Sequence, residues 1–189
     1  MEKVLFINAC VREDSRTLQL AGRVLANMSG EVHECCLEKE VMQPLNRETL
    51  AMRDRLLAEK DYSHGVFEYA REFAAADSVV IAAPYWDLTF PALLKIYLEH
   101  ITVSGITFYY DNGVPRGLCR AKRLIFVTTA GGPMFADFGY EYVKTMANVF
   151  YGIGDVHCFR AENLDVYCAD VDGIMKRAIE EIDAYFARQ

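Results

Sequence analysis

Long apolar runs are missing from this 189-residue chain. None approaches the roughly 20 residues that a helix needs to cross a bilayer, so no membrane partner is expected. An excess of base is missing too. Lys and Arg number 20 against 27 Asp and Glu, a formal charge of −7. That argues against nucleic acid or an anionic membrane surface, since both reward clustered cations. Metal-ligand spacing is absent: six cysteines occur without a C-x-x-C, and the four histidines keep no ligand spacing with Cys or Glu. No zinc centre is expected. The segment Met1-Glu2-Lys3-Val4-Leu5-Phe6-Ile7 is too short and too acidic for a signal peptide. The cysteines are therefore expected to be free thiols in a reducing, cytoplasmic setting. Neither G-x-G-x-x-G nor G-x-x-x-x-G-K-[ST] occurs, which removes the dinucleotide fingerprint and the P-loop. There is no internal repeat, low-complexity tract or interdomain linker. With 52% apolar and 25% charged residues, residues 1–189 read as one globular domain.

What is present is an alternation of strand and helix patterns. Short apolar runs at Lys3–Ala9, Ser78–Ala83 and Arg123–Thr129 read as buried strands, with Glu31–Leu37 and Gly154–Arg160 as two more. Helical spacing marks Ser15–Met28, Arg47–Glu59, Gly65–Ala75, Pro91–Val103, Glu141–Tyr151 and Val171–Ala187. Gly105–Gly117 reads as a polar and aromatic connection, with Asn112-Gly113 as a turn. This order predicts an α/β fold: a doubly wound, five-stranded parallel sheet with helices on both faces. It predicts no activity by itself.

In such a sheet the loops after strands one, three and four leave along one edge, where ligands bind. The first, Cys10–Thr17, runs straight into a helix. Its amides and dipole suit an anion, with Ser15 and Thr17 as hydroxyl donors and Arg12 and Arg16 as charge. Ser15 or Asp14 serves equally well as a plain N-cap. The second loop follows Pro84 and carries Tyr85, Trp86 (the only tryptophan), Asp87 and Leu88. Its flat side chains suit a planar ligand, or cap the core beneath. The third, Thr128-Thr129-Ala130-Gly131-Gly132, offers small side chains and exposed amides, or an ordinary turn. A phosphate site, an aromatic shelf and a glycine-rich edge together fit a mononucleotide with a large planar head, as FMN has.

At these residues the chain resembles the flavodoxin-like NAD(P)H:quinone oxidoreductase and FMN-dependent azoreductase family. Pro84-Tyr85-Trp86-Asp87-Leu88-Thr89-Phe90-Pro91-Ala92-Leu93-Leu94-Lys95 looks like the family's isoalloxazine loop and the helix after it. Ser15-Arg16-Thr17 is similar to its S-x-[ST] phosphate loop, and Thr128–Gly132 to its T-[TS]-x-G-G loop. Thr107-Phe108-Tyr109-Tyr110 resembles the segment before the fourth strand. The resemblance implies non-covalent FMN, with Ser15, Arg16 and Thr17 on the phosphate. Pro84, Tyr85, Trp86, Asp87 and Leu88 would hold the ring, together with Thr128, Thr129, Ala130, Gly131 and Gly132. It further implies NADH or NADPH as hydride donor, a small-molecule electron acceptor (quinone, azo or nitroaromatic), and a homodimer in which Tyr110 lines the acceptor pocket. The flavin carries the chemistry, so no side chain is named as catalytic. The chain departs from the family pattern at Cys10, Asp87 and Ala130. Two other functions suit the same residues: a flavodoxin-type electron carrier serving a protein partner, and a non-enzymatic sensor whose phosphate loop has decayed, Glu13 and Asp14 being the motive. Cys10, near a helix N-terminus, is in addition either a small buried side chain ending the first strand or a reactive thiolate.

Overall fold

The structure is a computed structural model and describes residues 1–188. Five strands, β1 (Lys3–Asn8), β2 (Glu31–Cys36), β3 (Ser78–Ala82), β6 (Arg123–Thr129) and β7 (Asp155–Ala161), form one parallel sheet in the order β2-β1-β3-β6-β7. Every residue of β3 is buried and only the first residue of β1 is exposed, because both faces of the sheet are covered. Alternation along β1 splits the core. Val4 and Phe6 face Leu20, Val24 and Ile182 from α1 (Arg16–Ala26) and α6 (Val171–Phe186). Leu5 and Ile7 face Phe73, Leu94, Tyr97 and Val143, contributed by α3 (Glu68–Ala75), α4 (Ala92–Ile101) and α5 (Phe138–Met146). A smaller cluster of Leu56, Phe67, Ala70 and Val103 seats α2 (Arg47–Glu59) against the outer side of this layer.

The register places the functional edge. Asn8 pairs with Ala82, and Ala82 with Val127, so the loops after β1, β3 and β6 emerge side by side. Between β1 and β3 the chain direction of winding reverses: β2 lies on one side and β6 and β7 on the other. That is the switch point at which open α/β sheets leave a crevice.

Three segments differ from the sequence expectation. Gly105–Gly117 is not an irregular connection: Phe108–Asp111 (β4) and Val114–Gly117 (β5) pair as an antiparallel hairpin. Asn112 and Gly113 turn it with φ of 49° and 79°, as a two-residue primed turn requires. Gly117 lies so close to the Tyr151–Gly152 backbone that a Cβ has no room, and Phe108 meets Phe150 edge-on at 5.1 Å. The fifth long helix begins at Phe138 rather than Glu141, because Asp137 caps it by accepting from the Tyr140 amide at 2.9 Å. Its tail widens into a π turn over Ala147–Tyr151 that Gly152 ends at φ 76°. No helix among the described residues is long and apolar enough to cross a membrane.

Candidate functional site

A cleft of about 370 Å³ opens at this edge, within the roughly 300–1,000 Å³ of small-molecule sites. Loop one supplies one end. Ser15 caps α1, its hydroxyl accepting from the Leu18 amide at 3.3 Å. Among the described residues the first-turn amides of Arg16 and Thr17 find no protein acceptor, and both residues line the cleft together with Arg12 and Asp14. These are the orphan donors that every helix leaves at its start. Thr17 is fully buried, and its hydroxyl shares a 2.7 Å hydrogen bond with the Thr129 hydroxyl. Loop one is thereby tied to the end of β6.

Loop two supplies the aromatic wall. Tyr85 is held at both ends: its amide donates to Thr129 O at 3.0 Å and its hydroxyl to Ala136 O at 2.7 Å. Trp86 is 40% exposed and, with Pro84 and Tyr85, faces the cleft. It pairs with Thr89 through reciprocal backbone bonds of 3.1 and 2.8 Å, so Asp87 and Leu88 form a two-residue turn at φ 50° and 69°. Neither carries a glycine's freedom, and left-handed backbone at a residue with a Cβ stores about 1–2 kcal/mol. Asp87 and Leu88 stand at the tip of the turn, outside the cleft lining.

Loop three contributes Thr129, Ala130 and Gly131. Thr128 is buried in β6 beneath them, and Gly132 lies beyond the lining. A fourth wall was not expected from the sequence. The loop after β7 pairs with loop three along its length: Asn163, Leu164 and Asp165 donate to Gly132, Ala130 and Gly131 at 3.1, 3.2 and 2.8 Å. Leu164 and Asp165 line the cleft, and Asp165 is ion-paired with Arg16 at 2.8 Å. The signal for this wall was topological, since the strand beside β6 must release its loop at the same edge. Tyr110 is placed elsewhere, on the hairpin, 58% exposed and edge-on to Phe108 at 5.4 Å.

Of the two readings of Cys10, burial favours the small side chain ending the first strand over the reactive thiolate. Desolvation pushes its thiol up from the ordinary value, outweighing the hydrogen bond from Ser15. All six cysteines are free, and no cluster of metal-ligating side chains occurs among the described residues.

Sheet order, switch point and a cleft with a helix N-terminus at one end define the flavodoxin-like class of mononucleotide-binding folds. The sequence pattern described as the flavodoxin-like fold matches residues 2–186. The FMN-dependent NADH:quinone oxidoreductase 2 of Clostridium acetobutylicum is 36% identical over 195 residues, covering 96% of each chain. The FMN-dependent NADH:quinone oxidoreductase of Lachnoclostridium phytofermentans is 35% identical, again over 96% of each. Among solved structures, an azoreductase from Bacillus anthracis superposes with a TM-score of 0.87 at 24% identity, covering all of both chains. An FMN-dependent NADH-azoreductase from the same species, in complex with FMN, gives 0.80 at 22%, covering 100% of this chain and 99% of that one. The chain belongs to the flavodoxin-like family that includes the FMN-dependent NADH:quinone oxidoreductases.

Proposed function

We propose that the chain is an FMN-dependent NADH oxidoreductase that passes a hydride, through the bound flavin, to a small planar acceptor of the quinone, azo or nitroaromatic kind. The observation that carries this is the cleft itself. Acceptor-free amides of Arg16 and Thr17, with the side chains of Arg12 and Arg16, line the same cleft as Tyr85 and Trp86. The donor set fits a phosphate monoester joined to a flat ring system. The NADH:quinone oxidoreductase activity for which the relatives 35–36% identical to this chain are named agrees with it.

FMN, when bound, supplies the hydride chemistry: it accepts from NADH and delivers to the acceptor. The protein's part is position. Ser15, Arg16 and Thr17 hold the phosphate: Arg16 and Thr17 through backbone N–H groups, since the Thr17 hydroxyl is already engaged, and Ser15 through its hydroxyl, since its own amide donates to Arg12 O at 3.2 Å. Pro84, Tyr85 and Trp86 bear on the ring, and the double anchoring of Tyr85 fixes that wall before any ligand arrives. Ala130 and Gly131 let a ring edge approach the backbone. Thr128 and Gly132 support that loop from either side, and Asp87 and Leu88 close the turn that presents Trp86. No side chain is assigned as a general acid or base.

The protein acts as one domain over residues 1–189, in the cytoplasm, as a homodimer with Tyr110 lining the acceptor pocket across the subunit boundary. The support for the dimer is the apolar exposure of the hairpin, where Tyr109, Tyr110 and Val114 are 44%, 58% and 50% exposed. The test is anaerobic turnover of NADH with a benzoquinone as acceptor. Quinone-dependent NADH oxidation by FMN-loaded protein, absent without FMN, is expected. FMN-loaded protein that oxidises no NADH with quinone, azo or nitroaromatic acceptors would overturn the enzymatic reading.

A further inference from the structure

Helix α1 opens on a cation. Its first turn carries no acidic residue and begins at Arg16, where the helix dipole disfavours positive charge and favours an anion. The missing anion comes from the other end of the chain. One guanidinium nitrogen of Arg16 donates to Asp165 Oδ1 at 2.8 Å and to Leu164 O at 3.2 Å, which uses both of its hydrogens. The Asp165 carboxylate rests over Gly131, in the space a side chain there would need, and its amide donates to Gly131 O at 2.8 Å. Both partners line the cleft. A carboxylate therefore sits against a cation that a phosphate would use, in the same cleft as the acceptor-free amides.

From this geometry we propose that Asp165 is an internal stand-in for the cofactor's phosphate. It neutralises Arg16 in the free protein and opposes the phosphate on binding, so it sets how strongly the cleft prefers a phosphorylated flavin over the dephosphorylated form. The inference rests on the FMN reading above. Charge at this end is closely matched: Arg12 and Arg16 face Asp14 and Asp165, and a phosphate adds up to two negative charges to that balance. The Arg16–Asp165 side chains are 38% and 68% exposed, so the pair is weak and opens readily. Three donors of the guanidinium, outside the nitrogen engaged by Asp165, remain for an incoming anion.

The experiment measures dissociation constants for FMN and for riboflavin, by quenching of flavin fluorescence, in the wild type, D165N and R16Q, with circular dichroism to verify each fold. D165N is expected to tighten FMN by about three- to tenfold, the size of one partly screened unit charge near the phosphate, and to leave riboflavin unchanged. R16Q is expected to weaken FMN and spare riboflavin. A merely structural role for Asp165 would move both flavins together, and that result overturns the proposal. So does FMN affinity that is unchanged or lower in D165N, while FMN binding by the wild type leaves the cofactor reading intact. A wild type that takes up neither flavin removes the cofactor reading, and the proposal with it.

Discussion

Replacing Thr17 or Thr129 by valine probes the bond that ties the phosphate loop to the glycine loop. Valine keeps the shape of threonine and deletes the hydroxyl, so each single variant strands its partner. The consequences differ in size because the partners differ in burial. Thr17 is 0% exposed and Thr129 is 9% exposed, with 2.7 Å between their oxygens. A buried hydroxyl without a partner costs about 1–3 kcal/mol. T129V, which strands the fully enclosed Thr17, should fall near the top of that range, and T17V, which leaves Thr129 some access to cleft water, near about 1 kcal/mol. The double variant removes both hydroxyls and leaves nothing unsatisfied, so it should return to within about 0.5–1 kcal/mol of wild type. Urea unfolding of the FMN-free protein measures all three. At roughly 2–4 °C per kcal/mol for a chain of this length, thermal melts offer a second readout. If the single losses simply add in the double variant, the two hydroxyls are not each other's partner. Equal losses in the two singles would refute the burial argument while sparing the bond.

Two further perturbations follow from strain and titration. Leu88→Gly places a residue without Cβ at φ 69°; it should be neutral or stabilise by up to about 1 kcal/mol in urea unfolding, whereas a loss of more than that would show that the turn is unstrained. His157 lies against Tyr185 at 4.4 Å and Phe159 at 4.5 Å, its Nε2 without a partner among the described residues, and burial lowers its pKa against the opposing pull of Glu181 and Asp155, with Arg123 adding to the fall. The unfolded chain therefore binds the proton more tightly, so the stability that neutral His157 contributes is present above about pH 6.5 and is lost as pH falls below it. His157→Phe should flatten the decline below about pH 6.5 in pH-dependent unfolding; an unchanged slope would assign the decline to other groups.

The three central strands β1, β3 and β6 are legible in the sequence because each is a short apolar run that the sheet buries on both faces, as at Val79, Val80 and Ile81, whereas the edge strands β2 and β7 are exposed or half-exposed along most of their length. Local pattern suffices there. It fails for the β4–β5 hairpin, where Pro115 and the exposure or half-exposure of all four positions disguise the second strand. That hairpin is held by tertiary packing on the π turn, through Gly117 on Gly152 and Phe108 on Phe150, which no local propensity records. The same contrast runs through the site. Tyr85, Trp86, Ala130 and Gly131 fall at strand ends whose loops had to converge, and they line the cleft. Asp165 is 149 positions from Arg16, and only the adjacency of β6 and β7 brings it there. The side-chain roles were less legible than the positions. Thr17 reads as a phosphate donor by its place in loop one, yet its hydroxyl is turned to Thr129. Cys10 reads from the sequence as either a thiolate near a helix start or a small buried side chain, and only its place in the packed core favours the second.

The most direct measurement is an absorbance spectrum of the purified protein after incubation with FMN and desalting, repeated after anaerobic addition of NADH. Retained visible flavin bands that NADH bleaches rapidly are the predicted result, because a cleft with a phosphate end and an aromatic wall should hold the cofactor and admit the hydride donor. Retained bands that NADH leaves untouched would contradict the reductase and favour an electron carrier. A colourless desalted protein would mean that the cleft has the family's shape without its cofactor.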